Sequence, residues 1–539
     1  MILIVDFGSQ TTHLIGRRIK ELGVAVKIVS PEKAISEIKK SFGYAQDLRP
    51  VGIILSGGPA SVYEDGSPTI DAKFFDLGIP ILAICYGFQL TAHLLGGKVS
   101  SSRKEYGPAK LKISNLKSQI SNGLPKEFTV WMSHGDDIVS LPDGFTVFGA
   151  TEHVPFALAT DEKRKIYGLL FHPEVEHTEH GKQILANFVH LTEDQSLFFE
   201  RGAKRRVEKL HGMSSQLRSN NNIPDIQEIV NDIKKTVGDD YVIGAVSGGV
   251  DSTVAGVLAA KAIGNQFVPV YVDNGLMREG TTEHVKKIFT QTDGIEPIVV
   301  DAVGETIERL RGIVDPEEKR KIIGKLYIAI FEREMEKLVK SGKPVKFLLQ
   351  GTIYSDVIES QGTKHASKIK SHHNVGGLPK DMKLMLLEPV RNFYKDQVRE
   401  IGKSLGLPDA FVHKQPFPGP GYAVRIRGEV TKERLDKERQ ADAIVLEELE
   451  KAGILSHVFL SFPVMTGALS TAVKGDGKFF GEVIALRVVK SQDVMTATWA
   501  HLPYDVLQKI SSRIVNEVPG ISRVVYDIST KPPATMEWE

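Results

Sequence analysis

Ser247-Gly248-Gly249-Val250-Asp251-Ser252-Thr253 is the stretch on which the reading of this chain turns. It follows the β-branched, apolar run from Tyr241 to Val246 and precedes Val254 to Ala262, whose composition predicts an amphipathic to buried helix. The loop therefore sits at a strand-to-helix turn, the position at which α/β proteins bind phosphate. Paired glycines let backbone N–H groups approach an anion without interference from Cβ. Ser247, Ser252 and Thr253 add hydroxyls, and the helix N-terminus adds its partial positive charge. A polyanion is the expected ligand. No Lys follows the second glycine where a Walker A loop requires one, so that class of phosphate loop is excluded.

Working outward, 539 residues are enough for about three domains, each with its own core. The 68 basic and 67 acidic residues nearly cancel, which argues against a nucleic-acid or membrane partner and for small-molecule substrates. No apolar run approaches the length of a membrane span, and Met1 to Asp6 reads as a first strand, not a basic leader, so a cytoplasmic protein is expected. Cys85 is the single cysteine, which excludes an intrachain disulfide, a zinc site built on several thiolates and an iron–sulfur cluster.

The first 195 residues alternate strand-like and helix-like pieces: Met1 to Val5, Thr11 to Leu22, Val24 to Val29, Val51 to Leu55. This is the rhythm of a doubly wound α/β domain. Ser56-Gly57-Gly58-Pro59 is a turn whose exposed N–H groups suit an oxyanion. Ile79 to Ile84 reads as a buried strand that delivers Cys85 to a sharp turn before a helix. That elbow presents the thiol to the helix N-terminus, with Gly87 relieving crowding. A thiolate nucleophile needs a base and the base an orienter. His172 and Glu174, after the strand-like run Tyr167 to Leu170, supply both if the chain is extended there. His134, with Asp136 two residues on, is a rival base that the residues alone do not eliminate.

From about Asp194 to Asn222 the pattern loosens, and Lys204-Arg205-Arg206 reads as a solvated face; a domain boundary is placed at 195/196. The middle domain, 196–413, continues with a strand from Phe267 to Val272, so that Asp273 and Arg278 are expected to rim a nucleotide crevice at the strand ends. The segment from Lys364 to Asn374 is basic and His-rich and reads as a mobile loop over phosphates in preference to a metal site. A third domain, 414–539, opens with the irregular Pro416-Phe417-Pro418-Gly419-Pro420-Gly421. A strand is predicted over Tyr422 to Ile426, a helix over Thr431 to Lys451, strands near His457 to Val464 and Glu482 to Lys490, a helix over Tyr504 to Val518 and a strand over Ser522 to Ile528. The fold class expected is α/β, with two doubly wound parallel-sheet domains followed by a small α+β domain.

Three resemblances add to this. The 247–253 loop resembles that of the N-type ATP pyrophosphatases, which cleave ATP between the α and β phosphates and adenylate a substrate oxygen. That resemblance implies ATP binding by Ser247, Gly248, Gly249, Val250, Asp251, Ser252 and Thr253, with Asp251 facing pyrophosphate through Mg²⁺. Gly57-Gly58-Pro59, the Cys85 elbow and His172-Pro173-Glu174 resemble a class I glutamine amidotransferase domain. The likeness implies Cys85 as nucleophile, His172 as base and Glu174 as orienter, an oxyanion hole near Gly57, Gly58 and Tyr86, and Gln89 and Met132 to Asp136 near the glutamine.

Together with Trp499 to Asp505, Gly520 to Asp527 and Lys531 to Glu537, these motifs resemble the glutamine-hydrolysing GMP synthase family over essentially the whole chain. The likeness implies conversion of xanthosine monophosphate (XMP), ATP, glutamine and water to GMP, AMP, pyrophosphate and glutamate. It also implies XMP contacts by Arg278, Lys531 and Glu537, and a homodimer paired through the third domain. The chain departs from the family pattern between 465 and 478, where Pro463-Val464 is followed by a longer path to Asp476. Three other readings stand beside this one: a first domain that is a catalytically dead binding module, disfavoured by the intact Cys85, His172 and Glu174; a ligase adenylating a different acceptor; and a tRNA-modifying enzyme with the same loop. The tRNA-modifying reading is disfavoured by the lack of further cysteines and of a basic stripe.

Overall fold

The computed structural model describes residues 1–41, 50–101, 104–115, 117–192, 225–354, 356–357, 384–474, 477–491 and 494–539. The 195/196 boundary, Lys204 to Arg206 and the His-rich segment 364–374 lie outside the described residues.

The first unit opens with β1 (Ile2–Val5), α1 (Thr12–Glu21), β2 (Val26–Val29), α2 (Pro31–Ser41), β3 (Gly52–Leu55), β4 (Ile81–Ile84) and α3 (Tyr86–Leu94). β5 (Lys98–Ser100), β6 (Glu105–Ile113), β7 (Glu127–His134), β8 (Asp137–Ser140), β9 (Thr146–Ala150), β10 (Leu158–Asp161), β11 (Ile166–Leu169) and α4 (Gly181–Thr192) complete it. Strands β1, β3, β4 and β11 are short and buried at every position, as a sheet covered on both faces requires. The nine-stranded sheet runs β2-β1-β3-β4-β11-β10-β9-β6-β7. Its first five strands are parallel and the rest pair antiparallel, so the doubly wound expectation describes only half of it. The seam between β4 and β11 matters most, because Ile84 lies opposite Leu169. The chain therefore leaves both strands at the same edge, carrying Cys85 from one and His172 from the other.

The second unit holds α5 (Ile226–Val237), β12 (Tyr241–Ala245), α6 (Val250–Ile263), β13 (Phe267–Asp273), α7 (Thr281–Asp293), β14 (Ile298–Asp301), α8 (Val303–Leu310) and α9 (Pro316–Lys340). β15 (Val345–Leu349), β16 (Met385–Leu387), α10 (Lys395–Ser404) and the single turn α11 (Asp409–Val412) follow. Its sheet is wholly parallel, in the order β14-β13-β12-β15-β16. Strand order reverses at β12, which puts the 247–253 loop at the switch point where open parallel sheets bind ligands. Helix α6 is buried on nearly every side between the sheet, α5 and α10, which explains why its first apolar residues begin at Val250, four earlier than the helix expected. Helix α9 has no counterpart in the expectations above. Asp315 caps it by accepting from Glu318 N at 2.8 Å, with Pro316 in its first turn.

In the third unit α12 (Lys432–Lys451) and α13 (Tyr504–Glu517) pack on a sheet of β17 (Leu460–Lys474), β18 (Gly477–Lys490), β19 (Thr498–Trp499) and β20 (Ile521–Tyr526). Tyr422 to Ile426 is not the strand expected. Gly421 at φ 62° starts a 3₁₀ turn over Gly421–Val424, and only Ile426 reaches the sheet, in an isolated bridge to Met465. The described residues of the divergent segment 465–478 lie in the far part of the long antiparallel β17–β18 pair, where Leu469, Val473 and Phe480 are exposed.

Candidate active sites

Cys85 is the N-cap of α3, held at φ 49° and ψ −109°, a conformation that a non-glycine residue adopts only under constraint. The constraint is local packing. Cys85 N–H donates to Leu169 O at 2.7 Å, and a Cβ on Gly87 would lie 2.6 Å from Leu55 O. The buried thiol donates to Ser133 O at 3.6 Å and lies close enough to the His172 side chain to affect its charge. His172 Nδ1 is 2.8 Å from Glu174 Oε1, which leaves Nε2 as the ring nitrogen for the sulfur. The pair meets in a turn beyond the isolated bridge at Phe171, not in the extended strand expected. Burial would push the His172 imidazolium down in pKa; the Glu174 charge, with the hydrogen bond that Glu174 accepts and the neighbouring Cys85, overrides it and holds the group well above its ordinary value.

Glu174 is fixed in turn. Its Oε1 accepts from Thr11 Oγ1 at 2.5 Å and its main-chain oxygen from Arg18 Nε at 3.2 Å, while Thr178 Oγ1 donates to His172 O at 2.6 Å. His134 is close by but different in kind. Nδ1 lies 2.7 Å from Asp136 O, Nε2 is buried without a partner, and burial pushes its pKa down to about 4. A ring that resists protonation so strongly is poorly matched to general base work at neutral pH. Gly57 faces the His172 ring, where a Cβ would lie 3.1 Å from Cε1, and Gly58 faces Phe7 O, where a Cβ would lie at 2.8 Å. The amide of Tyr86, first residue of α3, has no acceptor within the helix, and the Tyr86 side chain packs beside Gly58. Gln89 is buried, with Nε2 donating to Asp136 O at 2.8 Å, so it ties α3 to the turn after β7.

At the second sheet Ser247 Oγ and Ser252 Oγ are 2.9 Å apart, and Gly249 N–H donates to Ser247 Oγ at 3.4 Å. Gly248 takes φ 75°. Val250 and Thr253 turn into the core, so the accessible hydroxyls of the loop belong to Ser247 and Ser252, and Thr253 does not add the third that was expected. Gly351, after β15, packs so tightly on the first turn of α6 that a Cβ would lie 2.5 Å from Ser252 N. Both Asp251 oxygens accept from Lys395 Nζ, at 2.7 and 2.6 Å. As a donor set for Mg²⁺ this is one carboxylate, and no cluster of three ligating side chains occurs among the described residues. It fits an ion that arrives on phosphate oxygens and takes a single protein ligand, not a resident metal.

Arg278 does not stand at the end of β13 as a free rim residue. Its guanidinium donates to both Asp442 oxygens, at 2.6 and 3.2 Å, and lies over the Phe417 ring. Asp442 also accepts from Tyr422 Oη at 2.9 Å. The fully buried Arg425 donates to both Glu537 oxygens at 3.1 Å between the rings of Phe417 and Phe462. With Arg425 Nη1 3.8 Å from Asp442, this brings Arg278 and Glu537 into one ionic network. Lys531 is not part of it and donates to Val494 O at 2.7 Å. Inside the network Glu438 is fully buried with neither carboxyl oxygen paired. Burial first, and then Asp442, hold its pKa well above the usual carboxylate range.

Thr11, Lys395, Asp442 and Arg425 were not singled out by the sequence. Each lies more than a hundred residues from its partner, so no local spacing marks it.

A model of class I glutamine amidotransferases matches residues 3–191, one of NAD synthases residues 223–320, and one of the GMP synthase C-terminal domain residues 447–538. The glutamine-hydrolysing GMP synthase of Aquifex aeolicus is 49% identical over 100% of this chain and 99% of its own. Those of Streptomyces coelicolor and Bacillus licheniformis are 48% and 47% identical over 100% of this chain, and over 98% and 99% of their own lengths. Similarity of this degree, unbroken from the first strand to the last tail residue, assigns the chain: it belongs to the glutamine-hydrolysing GMP synthase family.

Proposed function

We propose that this chain aminates XMP to GMP with nitrogen taken from glutamine, through three domains spanning 1–195, 196–413 and 414–539. The observation that carries the first half is the gathering of Cys85, His172 and Glu174 at one edge of one sheet, with His172 hydrogen-bonded to Glu174 and beside the Cys85 thiol. The Cys85 sulfur attacks the glutamine side-chain carbonyl. Negative charge on the tetrahedral oxygen is met by amides at Gly57, Gly58 and Tyr86, and Gln89 lines the same pocket. His172, carrying a proton and oriented by Glu174, gives it to the leaving nitrogen, and ammonia departs. His172 then takes a proton from water as it attacks the thioester, and glutamate is released.

ATP use follows from the family. In our reading the C2 oxygen of XMP attacks the α-phosphorus, the bond to pyrophosphate breaks, and ammonia displaces AMP from the adenylated ring. Ser247, Gly248, Gly249 and Ser252, with the amides of Val250 and Asp251, cradle the leaving pyrophosphate, while the Thr253 amide is engaged with Gly249 O and Lys395 adds positive charge beside the loop. Mg²⁺ held by the phosphates and Asp251 would supply charge neutralisation there. Arg278, Lys531 and Glu537 are proposed to contact XMP. The exposed Leu469, Val473 and Phe480 of strands β17 and β18 support pairing of two copies through the third domain. No helix among the described residues is long and apolar enough to cross a membrane, in keeping with a cytoplasmic enzyme.

The match of residues 223–320 to NAD synthases favours, as a second reading, a different adenylated acceptor. Phosphorus NMR of a reaction with glutamine, ATP and XMP separates the outcomes: one AMP and one pyrophosphate per GMP are expected. Turnover with another acceptor, or ADP and phosphate as products, would overturn the proposal.

A further inference from the structure

Helix α9 belongs to the second unit, yet Lys319 near its start is fully buried against the third. Its Nζ donates to Ala423 O at 3.1 Å, Ile426 O at 2.7 Å and Glu539 Oε2 at 2.9 Å. An ammonium has three N–H groups, so every donor is used. The two carbonyls bracket Arg425, and Glu539 lies two residues beyond Glu537, the partner of Arg425. One cation thus grips both strands of chain that deliver the Arg425–Glu537 pair. Arg320 reinforces the grip on the tail by donating to the main-chain oxygen of Glu539.

This is an expensive arrangement for stability alone. Burial pushes the Lys319 pKa down, and the Glu539 carboxylate offsets only part of that; a buried ion pair can often be replaced by apolar side chains without loss of stability. We propose that Lys319 is a positioning residue for the nucleotide cradle. It sets the register of the 423–426 turn against the last three residues, with Glu539 as its counter-ion. The helix that carries it belongs to the ATP-binding unit, so the XMP cradle is shaped from outside the third domain. The inference rests on the proposed contact between Glu537 and XMP.

The test uses the full chain with ammonium salts as nitrogen donor, comparing Lys319→Met, Glu539→Gln and Glu537→Gln. Lys319→Met should raise the KM for XMP tenfold or more with the KM for ATP within twofold of the parent. Glu539→Gln should raise the KM for XMP several-fold, and the double variant should be no worse than Lys319→Met, because both break one contact. If Lys319→Met does not fold, Glu539→Gln carries the test. An unchanged KM for XMP in soluble Lys319→Met or Glu539→Gln, with Glu537→Gln still impaired, overturns the positioning role and leaves the Glu537 contact standing. Normal XMP saturation in Glu537→Gln removes the contact itself. A fall in Tm with KM for ATP and XMP rising together would reduce Lys319 to a structural brace and overturn the proposal.

Discussion

Cys85, His172 and Glu174 come from one sheet and face one another, whereas Asp251, Arg278 and Glu537 each find an opposite charge on a distant element: Lys395, Asp442 and Arg425. In the first region the functional groups are one another's partners, so the geometry that folds the domain is the geometry proposed for the chemistry. In the second, the groups proposed to meet ATP and XMP are engaged in ion pairs with other residues, and a phosphorylated ligand must exchange contacts with those pairs. Exchange lets buried charges remain compensated before and after binding, which a set of unpaired charges would not. The difference predicts that damage to the first region is confined to glutamine use, while damage to the second reaches every nitrogen source.

The largest effect is expected at Asp251. Asp251→Asn should lower both glutamine-driven and ammonium-driven GMP formation by about a thousandfold, on the order found when a transition-state charge loses a partner. Ammonium-driven synthesis at the parent rate would erase the contrast between the two regions. Glu174→Gln should cut glutamine hydrolysis by about a hundredfold and spare ammonium-driven synthesis. It also removes the charge that holds the His172 pKa up while leaving the burial that pushes it down, so the ionisation of His172 in the pH profile of glutamine hydrolysis should move to lower pH. A profile that stays in place would separate His172 from Glu174.

Gly87→Ala sets a Cβ against Leu55 O and should cost roughly 1–3 kcal/mol, read as a lower Tm, with glutamine hydrolysis reduced and ammonium-driven synthesis preserved. The smallest effect is at Glu438. Its raised folded pKa means that the folded chain keeps a proton which the unfolded chain releases above about 4.5. The stability tied to that proton is complete at low pH and is lost as pH rises. Glu438→Gln removes the dependence, so its stability advantage over the parent, read as Tm, should grow as pH rises above about 4.5, with a slope of no more than about 1.4 kcal/mol per pH unit. A constant difference across that range would mean the Glu438 carboxyl is not held protonated.

The same contrast explains what was legible beforehand. The Cys85 elbow, the 247–253 loop and the glycines at 57, 58 and 87 carry their reasons within a few residues, because a sharp turn between strand and helix is a local demand. The parallel order around β12 follows from alternation of elements. The antiparallel half of the first sheet and helix α9 did not stand out, since neither is announced by a motif. Tyr422 to Ile426 is β-branched and aromatic enough to look like a strand; the preceding Pro418, Pro420 and Gly421 won and wound it into a 3₁₀ turn. Lys395, Asp442, Arg425 and Lys319 could not be singled out at all, because an ion pair across more than a hundred residues leaves no pattern in either partner's neighbourhood.

The central claim is that nitrogen is released at Cys85 and consumed at a separate adenylating site, and Cys85→Ala tests it most directly. With saturating ATP and XMP, the variant should form no GMP from glutamine and should form it from ammonium salts at the parent rate. GMP formation from glutamine, or loss of the ammonium-driven reaction in a folded variant, would contradict the account.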